Sequence, residues 1–152
     1  MTVGTAAGCK IWISDDVSTS VTKTEFEAET FVKVGEIENI GEFGSEFETA
    51  TFSNVEDRLE RTFKTTEKPG LLPLNLGLDK ADAGQIQLQT ALYIDDDYAI
   101  KIELNDGDTT PTTYYFRAQV LSFKLLIGGG KDVKKATCSL GLNTRAVEVA
   151  AT

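Results

Sequence analysis

Glu46 with Glu48, and Glu56 with Asp57, are the pairs in this chain whose type and spacing could do chemistry, because glycoside hydrolysis by the retaining route needs only two suitably separated carboxyl groups. Nothing sets either pair apart from the acids around it. From Glu36 to Glu60 the sequence carries Glu36, Glu38, Glu42, Glu46, Glu48, Glu56, Asp57 and Glu60, with Arg58 as the only cation. Histidine is absent throughout, so the usual general base, triad base and zinc ligand are missing. Cys9 and Cys138 are too few for a disulfide framework and are not spaced as a zinc site; they read as small buried or half-buried residues of a protein made in a reducing cytosol. Asp95 to Asp97, and Asn105, Asp106 and Asp108, offer the oxygens that calcium takes, but turn chemistry accounts for both groups and neither has the EF-hand spacing. Gly128 to Gly130 beside Lys131 lack the ending of a phosphate-binding loop. The expectation is no catalytic residue, no metal and no cofactor.

Binding is the better use of the acidic stretch. Between Gly35 and Gly70, Ile37, Ile40, Phe43, Phe47 and Phe52 are set among the carboxylates: too few for a core, too many for a plain solvated tail. Such a segment is either an acidic hairpin loop in solvent or a surface that needs a partner. Arg61, Lys64 and Lys68 follow it. The net charge of -9 argues against a nucleic-acid binder, whose affinity rests on clustered Lys and Arg. The opening residues MTVGTAAGCK have neither the basic nor the apolar region of a secretion signal, and no run approaches the ~18 apolar residues of a membrane span. A soluble, unsecreted protein without a membrane anchor is expected.

The elements that must position this stretch are mostly strands. At 152 residues the chain reads as one domain, 1–152, able to bury roughly two thirds of its unfolded surface. Residues 1–8 are small and uncharged, a flexible arm; 9–14 alternate, with Ile11 and Ile13 on one face; 15–30 read as a loop or frayed edge. Strand character returns over 31–37, glycines at 35, 41 and 44 suggest turns or bulges, and 46–55 are again β-prone, while no clear period extends to Lys68. The segment 41–70 is therefore a long loop presented by the rest. Leu72, Leu74, Leu76 and Leu78 alternate with Pro73, Asn75, Gly77 and Asp79, and Pro73 should mark a sheet edge or a strand beginning. Asp79 or Asp82 can cap a helix over 83–92, the only convincing one, with Leu88, Ala91 and Leu92 on one flank and Asp95 to Asp97 after it. Ile100, Ile102 and Leu104 face inward on the next strand, and Asn105 to Asp108 turn it. Residues 113–127 alternate with both faces partly covered, the glycines at 128–130 reverse the chain, and Ala136, Cys138, Leu140 and Leu142 form the closing strand. The fold class is mainly β: an antiparallel β-sandwich or small barrel with one flanking α-helix and a long extended loop or hairpin.

The order of these features resembles the tail tube, or major tail, proteins of long-tailed bacteriophages, whose fold also serves the tube of type VI secretion. The residues carrying the resemblance are FVKVGEIENIGEFG at 31–44, FETATFS at 47–53, LLPLNLGLDKADAGQIQLQTA at 71–91, and then YAIKIELNDG and YYFRAQVLSFKL. It spans roughly 31–145. Residues 15–30 have no counterpart, and the TTPTT turn at 109–113 is particular to this chain.

The resemblance implies a structural protein that forms stacked hexameric rings around a tape measure protein, meets tail tip and tail terminator proteins, and lets DNA pass without binding it specifically. It implies location in the virion tail after synthesis in the host bacterial cytoplasm. Residues 31–40 and 46–55 would join neighbouring subunits' strands into a lumen barrel. Glu36, Glu38, Glu46 and Glu48 would face the lumen, each pair two apart on a strand and so on one side of the sheet. Glu56, Asp57, Arg58, Glu60 and Arg61 would lie on the loop that meets a neighbouring subunit or ring. The alternatives are a type VI-like tube subunit, a carboxylate enzyme, and a monomeric β-sandwich that binds carbohydrate or protein. The binding module would need an aromatic platform drawn from Trp12, Tyr93, Tyr98, Tyr114 and Tyr115.

Overall fold

Apolar side chains recurring at every second residue, with a helix laid across them, build the folded body. The computed structural model describes residues 3–106 and 109–151. Along the chain come β1 (Lys10–Val17), α1 (Lys23–Glu27), β2 (Phe31–Val34), β3 (Ile37–Ile40), β4 (Glu46–Ser53), β5 (Glu60–Lys68), β6 (Leu71–Gly77), α2 (Ala83–Leu92), β7 (Tyr98–Glu103), β8 (Thr113–Leu126), β9 (Lys135–Leu142) and β10 (Val147–Val149). Except for β4 and β5, the strands make one antiparallel sheet in the order β2-β1-β7-β8-β9-β6-β3, with β10 on β8. Ile11 and Ile13, Leu72 to Leu76 at alternate positions, Ile100 and Ile102, Phe116 to Val120 at alternate positions, and Ala136 to Leu140 at alternate positions are buried together. Leu88 and Ala91 of α2 pack on them, with Leu92 half-buried beside them. Burying whole Leu and Ile side chains contributes about 1.5–3 kcal/mol each.

The outer strands of the sheet, β2 and β3, are neighbours in sequence, joined by Gly35 and Glu36. The sheet therefore bends round the core until its ends approach, although it does not close into a barrel. The N-terminus of α2 fastens this corner. Asp82 caps the helix by accepting from the Gln85 N–H and also accepts from the Gly35 N–H, both at 3.0 Å. The buried Gln85 amide donates to the carbonyls of Gly35 at 3.2 Å and Gly77 at 2.8 Å, while its oxygen accepts from the Asp79 N–H. Helix and strand approach so closely that a Cβ on Gly84 would stand 2.3 Å from the Lys33 carbonyl oxygen.

On the sheet's other face Phe26 of α1 stacks on Tyr115 at 5.6 Å, beside Ala99, Phe31, Val147 and Val149. This corrects the reading of 15–30 as a loop or frayed edge, since a five-residue helix lies within it, while 83–92 is the one long helix. The missed signal was Thr22-Lys-Thr-Glu25, a capping box in which the Thr22 hydroxyl accepts from the Glu25 N–H and donates to its carboxylate. Three other expectations need adjustment. The strand at 31–37 breaks at Gly35, and Glu36 takes a φ of 59°. Pro73 lies within the sheet between β9 and β3, where its carbonyl accepts from Gly41, just past the end of β3, so its missing N–H falls where that ladder runs out. The register of β8 against β9 shifts between Val120 and Ser122, so the core face passes from even positions to Phe123, and beyond it Leu125 and Leu126 are exposed instead of covered. Met1 and Thr2 of the expected arm, Gly107 and Asp108 of the expected turn, and Thr152 lie outside the described residues.

Truncation of Leu88 to alanine should cost about 2–5 kcal/mol through lost transfer energy and a cavity. Ile86, on the exposed side of α2, should cost within about 0.5 kcal/mol. Chemical denaturation of the two variants checks which face of the helix carries the packing.

Candidate assembly interface

β4 and β5 leave the body as a two-stranded ribbon that pairs with no other strand among the described residues. Its sequence explains it: EFETATFS and ERTFKTTEK are rich in Thr and Phe, which favour extended backbone, and the turn between them is built by local polar groups. Asn54 accepts the Glu56 N–H on its side chain and the Arg58 N–H on its carbonyl; Asp57 accepts the Leu59 N–H and pairs with Arg61 at 2.9 Å. Arg58 sits at a φ of 57°, a left-handed position at the turn. The expectation of no clear period up to Lys68 thus gives way to a strand over 60–68, which alternation alone missed because it has no buried face.

Ala50 opposite Phe63, and Phe52 opposite Arg61, lie on one face; Thr49, Thr51 and Ser53 opposite Lys64, Thr62 and Glu60 lie on the other. Near the base the ladder shifts register between Phe47 and Thr49, with Thr65 and Thr66 bulged opposite Glu48. Every side chain of the ribbon except Glu67 is exposed, including Phe52 at 58% and Phe63 at 53%. An isolated two-stranded hairpin is at best marginally stable in water, so this one relies on what covers it or on what fastens its base. The fastening within the chain is a two-pronged pair from the Arg145 guanidinium to the Glu67 carboxylate, with Nε to Oε2 at 2.9 Å. The Arg145 hydrogen bond, then one from Ser45, lowers the Glu67 pKa below the ordinary carboxylate value. Sequence reasoning missed Arg145, since a lone arginine in a loop carries no signal.

The expected site residues divide. Glu46 and Glu48 share a face of β4 on which Glu48 pairs with Lys68 at 2.5 Å, and Glu46 lies opposite Lys68 in the ladder. Glu36 and Glu38 do not form such a pair on one strand, because Glu36 is in the left-handed link before β3 and Glu38 sits where the β3–β6 register shifts, paired with Lys135 at 3.0 Å. Glu56, Asp57, Arg58 and Glu60 cluster at the turn, with Arg61 at the start of β5.

The chemistry weighed from sequence finds little geometry. Asp57 and Glu48 are each held by a cation, and Asp97 accepts from Asn143 and faces Arg117 at 3.8 Å. Among the described residues no group of carboxylates, cysteines or histidines could hold a metal. Cys9 is half-buried, and burial pushes the Cys138 thiol up to about 12, far from a reactive thiolate at neutral pH. The five candidate platform aromatics are dispersed: Tyr98 and Tyr115 are buried, Trp12 lies under the Lys101 ammonium at 4.6 Å, Tyr114 edges Phe43, and Tyr93 is exposed. No helix among the described residues is long and apolar enough to cross a membrane.

The Glu67–Arg145 pair predicts a pH-dependent hinge. A carboxylate whose folded pKa is depressed contributes above its unfolded pKa, about 4.3, and that contribution is lost as pH falls through the folded value. Backbone relaxation of residues 64–68 should show growing mobility below that range in the native chain. In Arg145→Ala the mobility should be present already at neutral pH, with the pH step removed.

Comparison with known proteins bears on the fold. No protein-family model and no curated protein matches the chain. Solved structures do. A chain from the sheath/tube terminator of an extracellular contractile injection system, in its extended state, superposes with a TM-score of 0.72 at 11% identity, covering 99% of both chains. A chain from the tail of an empty gene transfer agent particle gives 0.68 at 8% identity, over 97% of this chain and 100% of the other. The SPP1 tail tube gives 0.64 at 12% identity, over 93% and 76%. Identities this low show a shared fold: across nearly its whole length the chain is folded like proteins of phage tail tubes and contractile injection systems.

Proposed function

We propose that this chain is a structural subunit that polymerises as stacked hexameric rings into a tube of the phage-tail kind, in the virion tail, after synthesis in the host cytoplasm. The observation that carries the reading is the β4–β5 ribbon. Among the described residues its outer edges pair with no strand and its apolar face is bare, a combination that invites pairing with another chain and that proteins otherwise blunt or cover. Among the described residues β2 and β3, at the ends of the main sheet, each have one edge with no strand paired to it. Strands from neighbouring subunits would complete these edges into a continuous wall, ordering the segment 41–70 on assembly. The fold likeness to tail-tube proteins supports this use of the edges, and the dispersed aromatics count against a sugar-binding platform.

In this reading the partners are other copies of the chain, a tape measure protein inside, and tail tip and terminator proteins at the ends. DNA passes without specific binding. Glu36, Glu38, Glu46 and Glu48 face the passage and keep it from adhering, because each wall lysine would add a phosphate contact repeated in every subunit. At a Debye length of about 8 Å in physiological salt they act only at short range. Glu46 and Glu48 have the stronger geometric support, since β4 puts them on one face.

Electron microscopy of concentrated protein should show rings or long hollow filaments; a chain that stays monomeric is the result expected of a binding module. Amide exchange over 45–68 should be fast in the monomer and slow in assembled tubes. Replacing that segment by a short Gly-Ser linker should keep the body folded and abolish tubes, since closing a loop changes slowly with its length. In Glu46→Lys/Glu48→Lys, tubes should form while DNA delivery slows, with the defect easing in higher salt. Failure of assembly in that variant would place these acids between subunits instead.

A further inference from the structure

The β4–β5 hairpin meets the body through two connections, and each carries a glycine at positive φ, Gly44 at 146° and Gly70 at 93°. These are soft torsions at the two points where the arm leaves. On the body side Phe43 packs against Tyr114 and Phe116, and the Gly70 carbonyl accepts from the Leu142 N–H. The direction of the hairpin is therefore set by what grips its base, the Arg145–Glu67 pair.

Arg145 is itself held from behind. In the turn that carries it, the Asn143 N–H donates to the Arg117 carbonyl and the Thr144 hydroxyl accepts from the Arg117 N–H, both at 2.9 Å. The Asn143 amide donates to the Asp97 carboxylate at 2.6 Å, and the Arg117 guanidinium faces the other oxygen of that carboxylate at 3.8 Å. Asp97 also holds a second segment, because its carbonyl accepts from the Ser18 N–H at 2.8 Å. The buried Ser18 hydroxyl donates to Glu29 at 3.0 Å and accepts from the Ser20 N–H, which closes residues 18–29, with α1 inside them, into a strap. Val21 of the strap lines an open cleft of about 520 Å³ together with Glu67 and Arg145, so the hairpin base has space to move on this side.

We infer that the strap 18–29 governs the hairpin latch: Asp97 is the positioning residue that joins the two, and loosening the strap frees Glu67 from Arg145 and lets the hairpin swing about Gly44 and Gly70. A turn fixed by several hydrogen bonds presents its guanidinium already placed. A loose turn must order backbone and side chain together to make the same two-pronged pair, which costs conformational entropy. The coupling runs through contiguous hydrogen bonds to an element with two settings, latched and free. It acts within a single copy and stands apart from how copies assemble.

Nuclear magnetic resonance of the dilute, unassembled chain tests it. The Arg145 Nε–H signal and the backbone relaxation of 64–68 read the latch, and the relaxation of 18–21 reads the strap. Asn143→Asp sets two carboxylates against each other and Asn143→Ala removes the donor, and each should raise the free-to-latched ratio roughly fivefold, the worth of one hydrogen bond. The exchange Asp97→Asn/Asn143→Asp again pairs one donor with one acceptor and should restore the latch. Glu29→Ala should loosen 18–21 and 64–68 together. In Arg145→Ala, where the latch is already gone, none of these changes should move 64–68 further. A native latch in both Asn143 variants, an exchange that fails to restore it, a loosened strap beside an unchanged hairpin, or equal effects without Arg145 would each overturn the inference. The tube reading, tested by electron microscopy, stands or falls separately.

Discussion

The Gln85 amide and the Asp82 carboxylate hold the corner on which the remaining architecture depends. A sheet ordered β2-β1-β7-β8-β9-β6-β3 has two far edges, and the chain crosses from one to the other with only Gly35 and Glu36. That crossing leaves backbone groups at Gly35 and Gly77 with no sheet partner on one side, and an unmet buried donor or acceptor costs about 1–3 kcal/mol. One helix N-terminus meets them. Asp82 serves its own helix and the Gly35 N–H together, and Gln85 spans the carbonyls of Gly35 and Gly77. Gly84 permits the approach by having no side chain. With the corner held, the leucines of β6 and the isoleucines of β1 and β7 face one another across a single core.

Energetically the molecule divides into a body and a projection. The body carries its own buried core and needs nothing from the ribbon, whose side chains are nearly all in solvent. What joins them is the link from Ile40 to Glu46, whose Phe43 packs on the core, the two-residue step from Lys68 to Leu71, and the Arg145–Glu67 pair. Such a division lets the body fold independently of the projecting strands, since exposed hairpins belong to the least stable part of a protein.

How much of this was legible follows from burial. Alternation at period two located Ile11 and Ile13, the β6 leucines, Ile100 with Ile102, and the face of β9, because one buried face imposes that period. The Asp82 cap and Leu88 declared α2 for the same reason. The ribbon partner β5 was not legible, since a strand exposed on both faces has no apolar period to show. α1 hid behind its Ser and Thr content even though Thr22 and Glu25 spelled a capping box around a buried Phe26. Of the site, the acids Glu46 and Glu48 were placed together by simple strand geometry, while the link at Glu36 broke the same argument for Glu36 and Glu38. Arg145 and the exposed end of β8 depend on where distant segments come to rest, which no local pattern encodes.

The register shift at Leu121 makes β8 tolerant of length change at one place. Before it Phe116, Ala118 and Val120 face the core; after it Phe123 lies opposite Cys138 and faces the core again, leaving Leu121 as a spare residue against Gly141. Loss of one residue there would give an unbroken ladder with Val120 opposite Leu140 and the phenylalanine still opposite Cys138. Loss of one residue elsewhere between 113 and 120 inverts the alternation on one side of the gap and turns buried side chains outward. Insertions and deletions that relocate the distal turn can therefore accumulate at this site while the body keeps its register.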